Sequence, residues 1–228
     1  MQDQTRPHEP MNDTLPRRPI LPSRDRPGTA ALRAIAWAAC SELLASPHEV
    51  DVRESLREHA RRGLALPWSE PLEDAIEALR REPRERLQRE YSGLFEVGDA
   101  GPPVPMRESL RPDRPPGALE EVARFYEHFG YALDERWAWQ PDHLSLELEF
   151  VHFLCFHEAH APDDAGATPY QLAQLDFTSR HVALWLPRLA SDVASLRPES
   201  PYGPILAAVR DFVAADLAWQ TTTIADDG

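Results

Sequence analysis

The segment from Trp139 to His160, W-Q-P-D-H-L-S-L-E-L-E-F-V-H-F-L-C-F-H-E-A-H, constrains this chain more than any other. It opens with a helix-start signal, Pro141-Asp142, and runs into an apolar stretch that carries His143, Glu147, Glu149 and His152. Titratable groups set into a buried helix are costly unless each finds a partner. Such groups are either structural keystones or part of a binding surface, and the fold has to surround them in both cases.

Leu144 to Phe150 alternates apolar and polar residues as a half-buried strand would. Three features favour a helix instead. Asp142 is a good N-cap, able to accept from first-turn amides. The run is too long for an ordinary strand, and Leu and Glu prefer helix. Leu144, Leu148, Val151 and Cys155 also keep helical spacing. The expectation is one largely buried helix over roughly residues 142–160.

The same spacing recurs along the chain. Leu32, Ile35, Ala39 and Leu43 form a stripe behind Thr29, the expected N-cap. Leu72, Ile76 and Leu79 form a second, after Pro71 in its favoured first-turn position. Leu87, Tyr91, Leu94 and Phe95 form a third. Leu119, Val122, Tyr126 and Phe129 form a fourth, closed by Gly130 as a C′ residue. One long later stripe takes in Leu172, Leu175, Val182, Leu186 and Leu189; Ile205, Val209, Phe212 and Val213 make the last. No hairpin and no Gly-rich phosphate loop interrupts them. The reading is an all-α, single-domain helical bundle over residues 29–220. Residues 1–28, rich in Pro and Arg and without apolar periodicity, are expected to be a disordered tail, and residues 221–228 a second. Two connections stand out. Gly98 to Pro116 is long for a helix-to-helix link, a feature of functional or mobile loops, and Trp137 to Pro141 is a short aromatic turn.

Several functions are disfavoured at this level. A net charge of −14 argues against nucleic acid and anionic membrane as partners. No apolar run reaches the ~18 residues of a membrane span. Arg17-Arg18 suggests a twin-arginine export signal, but the P-I-L-P-S-R-D-R-P that follows has no apolar core, so export by that route is not expected. The two cysteines, Cys40 and Cys155, lie in apolar helical runs and suit a reducing compartment. Glu149-x-x-His152 is half of a di-iron motif without its second pair, and His157-Glu158-Ala159-His160 misses the zinc protease spacing by one residue, so no metal is expected. Glu147 and Glu149, two apart on a helix, point about 200° from each other and cannot share one substrate face. No nucleophile elbow is present, and no catalytic residue is assigned.

Taken together, several motifs point to a known family. P-D-H-L-S-L-E-L-E-F (Pro141 to Phe150) resembles the signature of the TorD/DmsD/NarJ family of redox enzyme maturation chaperones. Y-S-G-L-F (Tyr91 to Phe95), P-P-V-P-M-R-E-S-L (Pro102 to Leu110), F-Y-E-H-F-G (Phe125 to Gly130) and D-F-T-S-R-H-V-A-L-W-L-P (Asp176 to Pro187) are similar to further pieces of that family, in the same order. The resemblance implies a TorD-like bundle and a cytoplasmic, non-catalytic chaperone, monomer or homodimer, with no cofactor of its own. Its partner would be the apo catalytic subunit of a molybdopterin oxidoreductase, bound at its twin-arginine leader until the molybdenum cofactor is inserted. The resemblance also links Pro141, Asp142 and His143 to leader recognition. Physically, Asp142, Glu147 and Glu108, the last beside Ser109, are expected to meet the leader's guanidinium groups. Tyr91, Phe95, Trp137 and Trp139 are expected to line a groove for its apolar stretch. Glu149 is expected to be a core residue satisfied by a neighbouring helix. The competing readings are an all-α regulatory or assembly protein for a partner without molybdenum, and a nucleotide-dependent protein, which the missing phosphate loop disfavours.

Overall fold

A computed structural model of the protein describes residues 23–98 and 101–225. The apolar stripes become α-helices: α1 Ala31–Leu43, α2 Val52–Ser55, α3 Arg57–Arg62, α4 Glu70–Arg81 and α5 Arg84–Tyr91. After the long loop come α6 Ala118–Phe129, α7 Leu144–His160, α8 Asp164–Arg180, α9 Val182–Leu196 and α10 Tyr202–Ala225. Among the described residues there is no strand, and one isolated antiparallel bridge joins Arg107 to His143.

Helix α7 is the axis of the bundle. Helix α1 packs along one side of it and α8 along another, while α10 closes the assembly against α9 and α4. Trp37, Trp185, Trp219, Phe150, Phe177 and Phe212 are fully buried between these layers. Pro71 sits in the first turn of α4, and Gly130 ends α6 in the left-handed region at φ 68°, as the sequence suggests.

Four local expectations change. Helix α7 is capped by His143, whose Nδ1 accepts from the Ser145 amide, because the Asp142 carboxylate is drawn away to other partners. Helix α1 is preceded by a π-helical turn, Arg26–Ala30, and the Thr29 hydroxyl donates to the Ser23 carbonyl instead of capping. The long stripe from Leu172 to Leu189 is two helices, broken at His181, whose backbone leaves the helical region (φ −114°, ψ −88°). Leu172 is exposed, and Ala173, Gln174, Phe177 and Thr178 form the buried face of α8. Glu149 is on the surface beside Tyr131 rather than in the core.

The ends of the ordered body lie outside the boundaries read at 29 and 220. Arg24 reaches Glu158 with Nε at 2.8 Å, and α10 continues to Ala225. The remainder of both expected tails, residues 1–22 and 226–228, lies outside the described residues.

A buried polar network locks first helix to last. Arg33 donates to Asp216 through Nε at 2.7 Å and Nη2 at 2.8 Å, and to Gln174 at 2.7 Å. Asp216 also accepts from Trp37 Nε1 (3.1 Å) and Gln220 Nε2 (2.8 Å). Two-pronged arginine pairing of this kind makes a buried charge tolerable.

Candidate functional site

From Gly101 onward the long connection is tied to the helices around it. Val104 N–H donates to the Leu94 carbonyl at 2.9 Å, and Arg111 reaches Asp192 on α9 at 2.5 Å. Around the isolated bridge, Glu108 N–H donates to the Asp142 carbonyl (3.0 Å) and Leu144 N–H to the Met106 carbonyl (2.9 Å). This stitching presses the proline-rich stretch against the N-terminus of α7. The aromatic turn is fixed from the other side, where Tyr126 Oη–H donates to the Pro141 carbonyl at 2.9 Å.

Between these segments lies a cleft of about 410 Å³. Its floor is Tyr91, from the end of α5, and Phe95, from the π-helical turn Ser92–Glu96 that follows. Tyr91, Phe95 and Tyr202 pack edge to face, with centroids 5.1–5.7 Å apart. One wall is Pro102, Pro105, Met106, Arg107 and Leu110; the other is Arg136, Trp137, Trp139, Gln140 and His143. Trp139 is 67% exposed, its indole N–H held by the Arg136 carbonyl at 2.9 Å, and Leu110 is 50% exposed. An aromatic floor with exposed apolar side chains at its mouth suits an apolar peptide segment.

The cleft lining carries charges of both signs, Arg107 and Arg136 with Glu49 and Glu96, and the two glutamates are residues that sequence reasoning missed. Glu49 and Glu96 line it and are exposed. Burial pushes the Tyr91 hydroxyl pKa upward, and the charges of Glu96 and Glu49 push it further. No apolar pattern could have found Glu49, which lies in the connection after α1. Glu96 follows Phe95 directly, and a π-turn that buries Phe95 leaves the next side chain outside.

Tyr91, Phe95, Trp137, Trp139 and His143 come together in the cleft. The three carboxylates expected to face a ligand do not, because each is buried against internal partners. Asp142 accepts from the Ser109 amide at 2.8 Å and from Arg107 Nε at 3.1 Å. Glu108 accepts from Arg114 Nε at 2.6 Å and lies 2.8 Å from His181 Nδ1. Glu147 accepts from Trp185 Nε1 at 3.1 Å, and burial, with the charge of Glu108 adding, holds its carboxyl well above the usual range. Ser109 is exposed beside the cleft and serves through its amide, and Pro141 is buried behind it. His143 is half-buried, with its pKa lowered by burial to about 4, so its ring is neutral at pH 7.

Among the described residues no group of three or more His, Cys, Asp or Glu side chains is placed to hold a metal ion. His152 instead contacts the Ala34 carbonyl at 2.8 Å, tying α7 to α1, and His157 stacks on Tyr170. Nor is any helix of the described residues long and apolar enough to cross a membrane. A second, wider groove of about 1000 Å³ runs between α6 and α8, and none of the expected site residues lines it.

This is the architecture of an all-α protein with an aromatic cleft, its lining of mixed charge, at the N-terminus of its central helix. The family model described as nitrate reductase delta subunit matches residues 61–191, more than half of the chain, and the protein belongs to that family. It is similar to the chlorate reductase assembly chaperone protein of Ideonella dechloratans, 42% identical over 54% of this chain and 66% of that protein. The selenate reductase assembly chaperone protein of Thauera selenatis is 40% identical over 54% of this chain and 65% of its own length. The perchlorate reductase assembly chaperone protein of Dechloromonas aromatica is 34% identical over 45% and 46%. The matches thus span less than two thirds of each relative. Among solved structures, that of a candidate redox enzyme maturation protein from Archaeoglobus fulgidus aligns with a TM-score of 0.53 over 87% of this chain and 99% of that one, at 21% identity, and supports the fold.

Proposed function

We propose that this protein is a cytoplasmic, non-catalytic assembly chaperone for a molybdoenzyme. It binds the apo catalytic subunit, taking that subunit's twin-arginine leader in the cleft, and holds it until the cofactor is inserted. The observation that carries this reading is the cleft itself, where the buried rings of Tyr91 and Phe95 meet the exposed Trp139, with Glu49 and Glu96 at the rim. The names of the similar proteins agree with it.

A leader peptide offers two arginines followed by an apolar stretch. Exposed carboxylates attract the arginines, and salt screens that attraction within about 8–10 Å. Apolar burial on the aromatic floor adds roughly 25 cal/mol per Å², less the ordering of the peptide. Calorimetry with a synthetic twin-arginine leader of a molybdoenzyme tests the reading. Binding should weaken with added salt without vanishing, and Trp139→Ala with Glu96→Gln should weaken it further. A folded protein that binds no leader at high micromolar peptide refutes the leader assignment.

A further inference from the structure

The proline loop does more than wall the cleft. From Glu108 to Arg114 it makes two successive turns, with the Arg111 N–H donating to the Glu108 carbonyl (3.0 Å) and the Arg114 N–H to that of Arg111 (3.2 Å). Pro112 holds φ fixed between the two turns. A segment this short and this tightly turned moves as one piece.

Its ends are fastened to different parts of the bundle. Toward the cleft, the Glu108 N–H donates to the Asp142 carbonyl, and two residues earlier the Met106 carbonyl accepts from Leu144 at the start of α7. Away from the cleft, the segment reaches the place where α8 stops and α9 begins. The fully buried Glu108 carboxylate lies 2.8 Å from Nδ1 of His181, the residue whose backbone breaks the helix. Arg114 holds the same carboxylate through Nε at 2.6 Å and, through Nη2, the carbonyl of Arg180 at 2.7 Å. Arg180 is the last residue of α8, where carbonyls lack partners within the helix. Its own guanidinium pairs with Glu121 of α6 and with Asp176, and both of these line the groove between α6 and α8. Arg111 adds a tie to Asp192 on α9.

We propose that Glu108 to Arg114 is a latch that couples the cleft to the α8–α9 break. While the cleft wall stays in place, Glu108 and Arg114 hold His181 and the end of α8. When a bound segment pushes the wall outward, the same two residues lift away from the break. Glu108 cannot cheaply part from one partner while it stays buried, so the segment keeps both or gives up both. The groove between α6 and α8, which Arg180 borders, then changes shape with the occupancy of the cleft. The coupling rests on this geometry alone; its use by a client rests on the leader-binding reading above.

The test is amide hydrogen exchange, followed by NMR, on wild type, Arg114→Gln and Arg114→Lys. The Leu144 N–H, bonded to Met106, reports on the wall, and the His181 and Leu184 N–H groups, bonded to Phe177 and His181, report on the break. The Ile76 amide in α4 reports on the rest of the bundle. Arg114→Gln removes a charge-assisted pair and should speed exchange at wall and break by about tenfold, with Ile76 unchanged. Arg114→Lys keeps a cation beside Glu108, loses the second prong to Arg180, and should give a smaller rise at both places. A rise at the break alone makes Arg114 a local helix cap and overturns the coupling. An equal rise at all the amides marks a general loss of stability and overturns it too. If Arg114→Gln unfolds, Arg114→Lys is read by the same criteria. A saturating twin-arginine leader should speed exchange at His181 and Leu184 in wild type, and a leader that binds by calorimetry without doing so overturns the coupling. A leader that does not bind overturns the leader reading instead, and the two variants still decide the latch.

Discussion

Asp216→Asn should be among the most destabilising conservative changes in this protein. The carboxylate and its partner Arg33 are both 0% exposed, joined by contacts of 2.7 and 2.8 Å. Asparagine keeps the volume but removes the charge. Arg33 then keeps neutral acceptors, Gln174 at 2.7 Å and the asparagine oxygen, and its remaining carboxylate is Glu158 at a long 3.5 Å. Breaking one side of a buried pair costs roughly 3–5 kcal/mol. For a chain of this size, each kcal/mol lowers the melting temperature by about 2–4 °C, so the shift should be roughly 6–20 °C. Urea denaturation followed by circular dichroism gives the free energy directly, and thermal melts give the shift. Pairing Arg33→Met with Asp216→Leu should recover part of the loss, because no charge is then stranded. Recovery should be incomplete, since Trp37 Nε1 and Gln220 Nε2 lose their acceptor, at about 1–3 kcal/mol each. A loss for Asp216→Asn below about 1 kcal/mol would mean that water or rearrangement reaches this network, and would refute the argument.

Three further outcomes follow from groups near the cleft and in the core. His143, with its pKa lowered from 6.5 to about 4, favours the neutral ring in the folded state; its contribution is complete above pH 6.5 and is lost as pH falls toward 4, so His143→Gln should flatten stability over that window in pH-dependent denaturation. Cys40 and Cys155 are fully buried and burial raises both thiol pKa values, that of Cys155 to about 12, so a thiol reagent should modify neither until the protein is unfolded. Trp139→Ala should change the unfolding free energy by less than about 0.5 kcal/mol, since the side chain is 67% exposed, while reducing leader affinity; a large loss of stability would show that the indole holds the turn rather than a ligand.

Helical spacing revealed the bundle because it is a local property, and the stripe of Leu72, Ile76 and Leu79 is buried as read. The aromatic half of the candidate site was legible for a related reason. Large rings close to a long proline loop have few places to go, and Tyr91, Phe95, Trp137 and Trp139 do meet there. The charges were not legible. Asp142, Glu108 and Glu147 read as ligand-facing because local spacing does not show which side chains meet them. Their partners, Arg107, Arg114, His181 and Trp185, come mostly from other segments and turn them inward. The break between α8 and α9 was hidden likewise, because His181 leaves the helix where its ring meets Glu108, 73 positions earlier in the chain.

The Arg33–Asp216 pair joins residues 183 positions apart, and its carboxylate lies on the last helix of the described residues. On a ribosome, α1 and its arginine are finished long before that carboxylate exists. Until α10 emerges, Arg33 has only Gln174 and the long contact to Glu158, and burying the cation at the centre of the bundle without its closest carboxylate is costly. The early helices can collapse on one another, but they cannot lock. Closure of the core therefore waits on the synthesis of α10. A chain cut short before Asp216 would remain open to proteases, so that only molecules that include α10 reach the state in which the cleft is assembled.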